Sequence, residues 1–196
     1  MNSDQSFSTS PSSQDLKKEL ERSKRKRKGG GAFVKNSILV ILAIAAIISI
    51  LTTMFFPIMS IHGSSMAPTV KDGSITVAHK QETLERGDVC AFYSGNSILC
   101  KRVIAFGGEV VSIDDDGVIY IDGVELDEPY LTERDFGNTN ITFPYTVPEH
   151  TYFVMGDNRS TSIDSRNTKI GCISEGQIIG KLIFCFWPFD EIGTID

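Results

Sequence analysis

The chain has 196 residues, room for about one soluble domain of ordinary size. Its formal net charge of −6 is unevenly divided: residues 1–36 hold nine Lys and Arg against four Asp and Glu, whereas residues 60–196 hold ten against twenty-one. An acidic C-terminal part excludes nucleic acid as its partner, because binding a polyphosphate relies on a basic face.

In chain order, the Ser-rich opening "MNSDQSFSTSPSSQDL" has too few large apolar side chains to offset the entropy of ordering it. A polybasic run, "KKELERSKRKRKGGG", follows; alone it would be a nucleic-acid arm or a solvated face. Residues 1–36 are therefore expected to be a disordered basic tail. Ser37 to Met59 then contain no charged residue. As a helix these 23 positions reach about 34 Å, enough to cross a hydrocarbon core of about 30 Å, so 37–59 is predicted to be a transmembrane helix. The run is longer than the apolar part of a cleaved leader and no small-x-small site follows it. With the basic excess on its N-terminal side, the positive-inside rule predicts a single-pass cell-membrane protein. Its N-terminus would be cytoplasmic and residues 60–196 an extracytoplasmic domain.

That domain reads as mostly β. "SITVAHK", "DVCAFYS", "SILCKRVIAF", "EVVSIDDDGVIYIDGVEL", "TYFVMGD" and "QIIGKLIFCFW" are short β-branched or aromatic runs. Turn residues separate them, with hairpin signals at Gly95-Asn96, Asp116-Gly117 and Asp122-Gly123. Antiparallel sheets are the expected architecture. Cys90, Cys100, Cys172 and Cys185 show no C-x-x-C pair and no metal spacing. Cys90 and Cys100 flank one hairpin, so the cysteines are either buried thiols or include one disulfide.

A serine hydroxyl needs a base, either His or a Lys held neutral in a dry site. His62, His79 and His150 sit in polar contexts without a matching acid-His-Ser pattern. Lys101 is different, because strand alternation puts it on one face with the apolar Leu99 and Val103, with Arg102 on the other. It is either a charge snorkelling to a rim or a buried base. As a base it must be desolvated, since at a reference pKa of about 10.4 only roughly one lysine in a thousand is neutral near pH 7.4. The hydroxyl-rich "GDNRSTSIDSR", Gly156 to Arg166, is a surface loop, a weak calcium loop or a source of an orienting group.

Taken together, these segments resemble the type I signal peptidases. "GSSMAPT" is similar to the family's S-M-x-P-T nucleophile box and "GDVCAF" to its G-D-x-V-x-F strand. "KRVIAFGGE" is similar to its K-R-V-x-G-x-x-G-D box and "GDNRSTSIDSR" to its G-D-N-R-x-x-S-x-D-S-R box, all in the family's order. The short, single-anchor chain and Gly63 are similar to members from single-membrane bacteria. Departures lie at Ala105 to Glu109, beyond the base, and at Cys90 in place of the commoner valine.

The resemblance implies Ser65 as nucleophile, Lys101 as general base, Ser162 as the group that orients the amine, and an Asp164–Arg166 ion pair behind it. It implies a membrane-bound serine endopeptidase that removes signal peptides from secretory preproteins at Ala-x-Ala sites, without metal or cofactor. The substrate would bind as an added strand, with Ile61, Met66, Leu99 and Val103 as expected pocket residues. Phe55, Phe56, Trp187 and Phe189 would lie near the bilayer. Two other readings share features of this sequence: a Ser/Lys self-cleaving repressor, which would need a DNA-binding domain, and a non-enzymatic assembly module on the same fold.

Overall fold

The computed structural model describes residues 12–80 and 83–195. Ser13–Phe55 form one helix, α1. The expectation of a disordered tail over 1–36 is corrected for residues 13–36, which are helical; residues 1–11 lie outside the described residues. Leu, Lys, Arg and Glu dominate this stretch and are all strong helix formers, and Asp15 lies in the first turn, where a carboxylate complements the helix dipole. Within α1, Val34–Phe55 is the part long and apolar enough to cross a membrane, and none of its window is buried by protein.

The expected transmembrane span ended at Met59, but the helix stops at Phe55. Pro57 accounts for the difference: proline disfavours helical geometry in the residue before it and lacks an N–H for the helix ladder. The chain becomes extended at once, as strand β1, Ile58–Ser60.

Two antiparallel sheets follow. The larger contains β1, β2 (Ile75–His79), β3 (Val89–Ser94) and β4 (Ser97–Phe106). The smaller is built from β5 (Val110–Ile113), β6 (Ile119–Ile121), β7 (Val124–Glu125) and β8 (Tyr145–Thr146). The chain then returns to the larger sheet with β9 (Thr151–Met155), β10 (Ile173–Ser174), β11 (Ile178–Trp187) and β12 (Gly193–Thr194). The order in the larger sheet is β1-β2-β11-β3-β4-β9-β10, with β12 added beside β11; in the smaller it is β7-β6-β5-β8. The mostly β, antiparallel expectation holds.

The predicted turns form as their residues dictate. Ser94 pairs with Ser97 around Gly95-Asn96. At Asp122-Gly123 both φ angles are positive, 52° and 83°, as a tight hairpin requires.

Strand alternation distributes the core. Val89 and Ala91 pack with Ile61, Met66, Val70 and Leu182, whereas Cys90 and Phe92 pack with Val103, Val154 and Ile173. A third cluster joins Ile104, Phe153 and Met155 to Val111, Ile119 and Ile121 of the smaller sheet. The hairpin cysteines fall on opposite faces for the same reason: Cys90 stands opposite Lys101 and Cys100 opposite Ala91. All four cysteines are free.

Candidate active site

The cleft arises from two unsatisfied strand edges. β1 ends the larger sheet and, among the described residues, pairs on one side only, with β2. β4 pairs with β3 from Ser97 to Arg102 and with β9 from Arg102 to Phe106, which among the described residues leaves Ser97 to Lys101 open on the β9 side. Ile58, Met59, Ser60 and Ile61 face Ile98, Leu99, Cys100 and Lys101 across a cleft of about 330 Å³, with His62, Ser65 and Met66 at its end. Three of the expected pocket residues, Ile61, Met66 and Leu99, line it. Val103 does not: it lies farther along β4, fully buried against Leu84, Phe92 and Val154.

Ser65 lies in the turn after β1. Gly63 takes a φ of +96°, open to glycine, and donates its N–H to Asp72 Oδ1 at 2.8 Å. Met66 is 1% exposed and anchors the turn in the core, while Asn158 N–H donates to the Ser65 carbonyl at 3.1 Å. The Lys101 amine is 2.6 Å from Ser65 Oγ. Lys101 is 3% exposed, so the snorkelling alternative is not adopted. Burial lowers its pKa from the ordinary lysine value and the Arg166 charge assists, against the upward pull of Asp164, Cys100 and Asp157.

Behind the pair, Gly156 packs so closely that a Cβ there would run into the Ser65 carbonyl oxygen and Ser162 Oγ. Ser162 is 1% exposed, and its hydroxyl has no hydrogen-bond partner among the described residues. The expected contact from Ser162 to the lysine amine is therefore not made here; the amine is engaged with Ser65. Asp164 and Arg166 do form the expected pair, with Nε to Oδ1 and NH2 to Oδ2 both at 2.9 Å. Burial alone would raise the Asp164 pKa, but the Arg166 hydrogen bonds and charge, with the Gly156 N–H, hold it below the usual carboxylate value. No group of His, Cys, Asp and Glu among the described residues is arranged to hold a metal.

Sequence reasoning missed a second layer. Arg102 meets Asp157 through Nε and NH2 at 2.9 and 2.8 Å, and Thr69 Oγ1 donates to the same carboxylate at 2.5 Å. Arg159 forms two hydrogen bonds to Glu128. A signal was present: consecutive charges inside a strand buried on both faces cannot both reach water, so Lys101-Arg102 requires a buried anion nearby.

A serine hydroxyl against a buried, desolvated lysine, at the end of a cleft between open strand edges, has the composition of a Ser/Lys hydrolase of extended peptides. A family model described as signal peptidase, peptidase S26, matches residues 34–187. The chain is 38% identical over 168 residues to "Signal peptidase I U" of Bacillus subtilis, covering 79% of this chain and 88% of that protein. It is 38% identical over 153 residues to "Signal peptidase IB" of Staphylococcus aureus, covering 67% and 78%. A signal peptidase I crystal structure from Enterococcus faecalis aligns with a TM-score of 0.44 at 34% identity, over 51% of this chain and 97% of that one. The chain belongs to the type I signal peptidase family.

Proposed function

We propose that this chain removes signal peptides from exported preproteins with Ser65 as nucleophile and Lys101 as general base. The 2.6 Å contact between the two side chains carries the assignment. The neutral amine accepts the hydroxyl proton as Ser65 Oγ attacks the scissile carbonyl, and then delivers it to the departing amine of the mature chain. The signal peptide is left as an ester on Ser65. Lys101 next takes a proton from water, whose oxygen attacks the ester, and returns it to Ser65 Oγ as the acyl–Oγ bond breaks; the signal peptide leaves as a carboxylic acid that ionises in solvent. The Ser65 backbone N–H is the proposed donor to the oxyanion.

Ser162 serves as the orienting group. Its buried hydroxyl, close to the Asp164 carboxylate, is available to the amine once Ser65 Oγ has become an ester oxygen. Asp164 and Arg166 shape the wall behind it.

The signal peptide lies as an added strand between β1 and the open half of β4, where backbone groups of both strands are available. Ile61, Met66 and Leu99 make the lining apolar, which suits small side chains such as Ala at P1 and P3. Val34–Phe55 spans the membrane once, with the basic segment cytoplasmic and the catalytic domain outside. Phe55, Phe56, Trp187 and Phe189 are all exposed and apolar, in keeping with contact with the bilayer.

The test is cleavage of a purified preprotein carrying an Ala-x-Ala site, in detergent, by the wild type, Ser65→Ala and Lys101→Ala. Cleavage by the wild type alone is expected. Cleavage by all three overturns the dyad, and cleavage by none favours the non-enzymatic module.

A further inference from the structure

We propose that Glu128 is a positioning residue for the Ser65–Lys101 pair, acting through Arg159 and the carbonyl of Gly156; this rests on the dyad assigned above. Glu128 follows β7 of the smaller sheet and is 5% exposed. Its carboxylate accepts from Arg159 NH1 at 3.2 Å and from NH2. The remaining donor used by that guanidinium, Nε, reaches the Gly156 carbonyl at 3.1 Å. Gly156 is the residue wedged between the Ser65 carbonyl and Ser162 Oγ without space for a methyl group. A planar guanidinium held on one edge by a carboxylate thus fixes, with its other edge, the backbone against which the nucleophile rests.

Tyr130 extends the brace. Its hydroxyl donates to Glu128 Oε1 at 2.8 Å, and the Arg102 guanidinium lies 3.9 Å from the centre of its ring. Arg102 directly follows Lys101. One short loop after β7 therefore braces residues that adjoin both Lys101 and Ser65.

A buried ion pair that serves only the fold would lower the amount of folded enzyme and leave the chemistry of each folded molecule intact. A positioning role has a different signature. The amine of Lys101 is faced by Asp164, Cys100, Arg166 and Asp157, and burial depresses its pKa. If Gly156 loosens, water reaches the amine and its pKa rises, so the ascending limb of kcat/KM against pH moves to higher pH.

The test uses the full chain in detergent with a preprotein substrate. Per folded molecule, Glu128→Gln is expected to lower kcat about ten- to a hundredfold with KM within about twofold, and to shift the ascending limb upward. Tyr130→Phe is expected to do the same to a smaller extent, whereas Glu125→Gln, exposed at the end of β7, leaves both unchanged. Replacing the buried pair together, Glu128→Leu with Arg159→Met, is expected to recover thermal stability without recovering kcat.

The proposal is overturned if Glu128→Gln keeps the wild-type kcat and limb, or if the double variant regains both along with its stability. Should Glu128→Gln fail to fold, Tyr130→Phe decides, and an unmoved limb there overturns the proposal. Ser65→Ala and Lys101→Ala run alongside: activity in either defeats the dyad itself, whatever Glu128 does.

Discussion

Arg102 and Asp157 meet edge to edge, their side chains at most 1% exposed, one residue along the chain from the proposed base and one from Gly156. The pair ties β4 to the loop after β9. Asp157→Asn leaves a buried guanidinium without its counter-charge, which costs about 3–5 kcal/mol where such pairs are broken singly. Thermal unfolding of the full chain in detergent should show a midpoint drop of several degrees; an unchanged midpoint contradicts the reading.

Gly156→Ala tests the wedge between Ser65 and Ser162. The obstacle is a backbone carbonyl as well as a side chain, so the turn carrying the nucleophile must shift. A displacement near 1 Å at a reacting group costs on the order of a hundredfold in rate, and a loss of that size in kcat/KM is expected. A variant as active as the wild type means that the wedge is dispensable.

The pH dependence follows from the depressed Lys101 pKa. Activity should rise with pH as Lys101 deprotonates, with the midpoint below the unperturbed value of about 10.4. Lys101→Arg keeps the charge but cannot act as a base, so cleavage should be abolished. Stability responds in the same direction: between the folded and unfolded lysine pKa values the unfolded chain binds more protons, so this residue makes the fold more stable as pH rises. Asp164 acts at the acid end. Its pKa is depressed by folding, so its contribution is present above the unfolded carboxylate value and is lost as pH falls through the folded one. A kcat/KM profile that is flat from neutral to alkaline pH contradicts the role given to Lys101.

The cysteines should titrate as four thiols. Alkylation under denaturing conditions without reductant, followed by mass measurement, is expected to add four groups, and reductant should leave the melting midpoint unchanged. In the native state Cys100 should react slowly even though it borders the cleft, because burial pushes its thiol pKa up to about 12. A mass showing fewer than four adducts would establish a bridge.

Much of this was legible in the residues. β4 runs over Ser97–Phe106, the same residues as the run read from its composition, because β-branched residues and a two-residue turn signal agree there. Lys101 stood out because a charge sat on an apolar strand face, whereas Ser65, Asp164 and Arg166 were assigned through their resemblance to the family's boxes. β1 was missed because "PIM" continues an apolar run, and hydropathy cannot distinguish a helix's end from an apolar strand; only Pro57 marked the change. β8, β10 and β12 have two residues each, too short for any periodicity. Val103 shares a strand face with Lys101 but not a pocket, since alternation fixes which side a residue points to and not what lies there. Glu128 and Tyr130 lie in the loop after β7, and no local pattern links them to residues about thirty positions away.

The half-paired β4 has a further consequence for selection among cargo. A gap in a hydrogen-bonded ladder recognises peptide groups, which every polypeptide shares, and asks of side chains only that they not obstruct. What it refuses is a segment already paired with itself. An enzyme built this way can serve many unrelated exports through one opening, and it spares their folded parts without having to identify any of them.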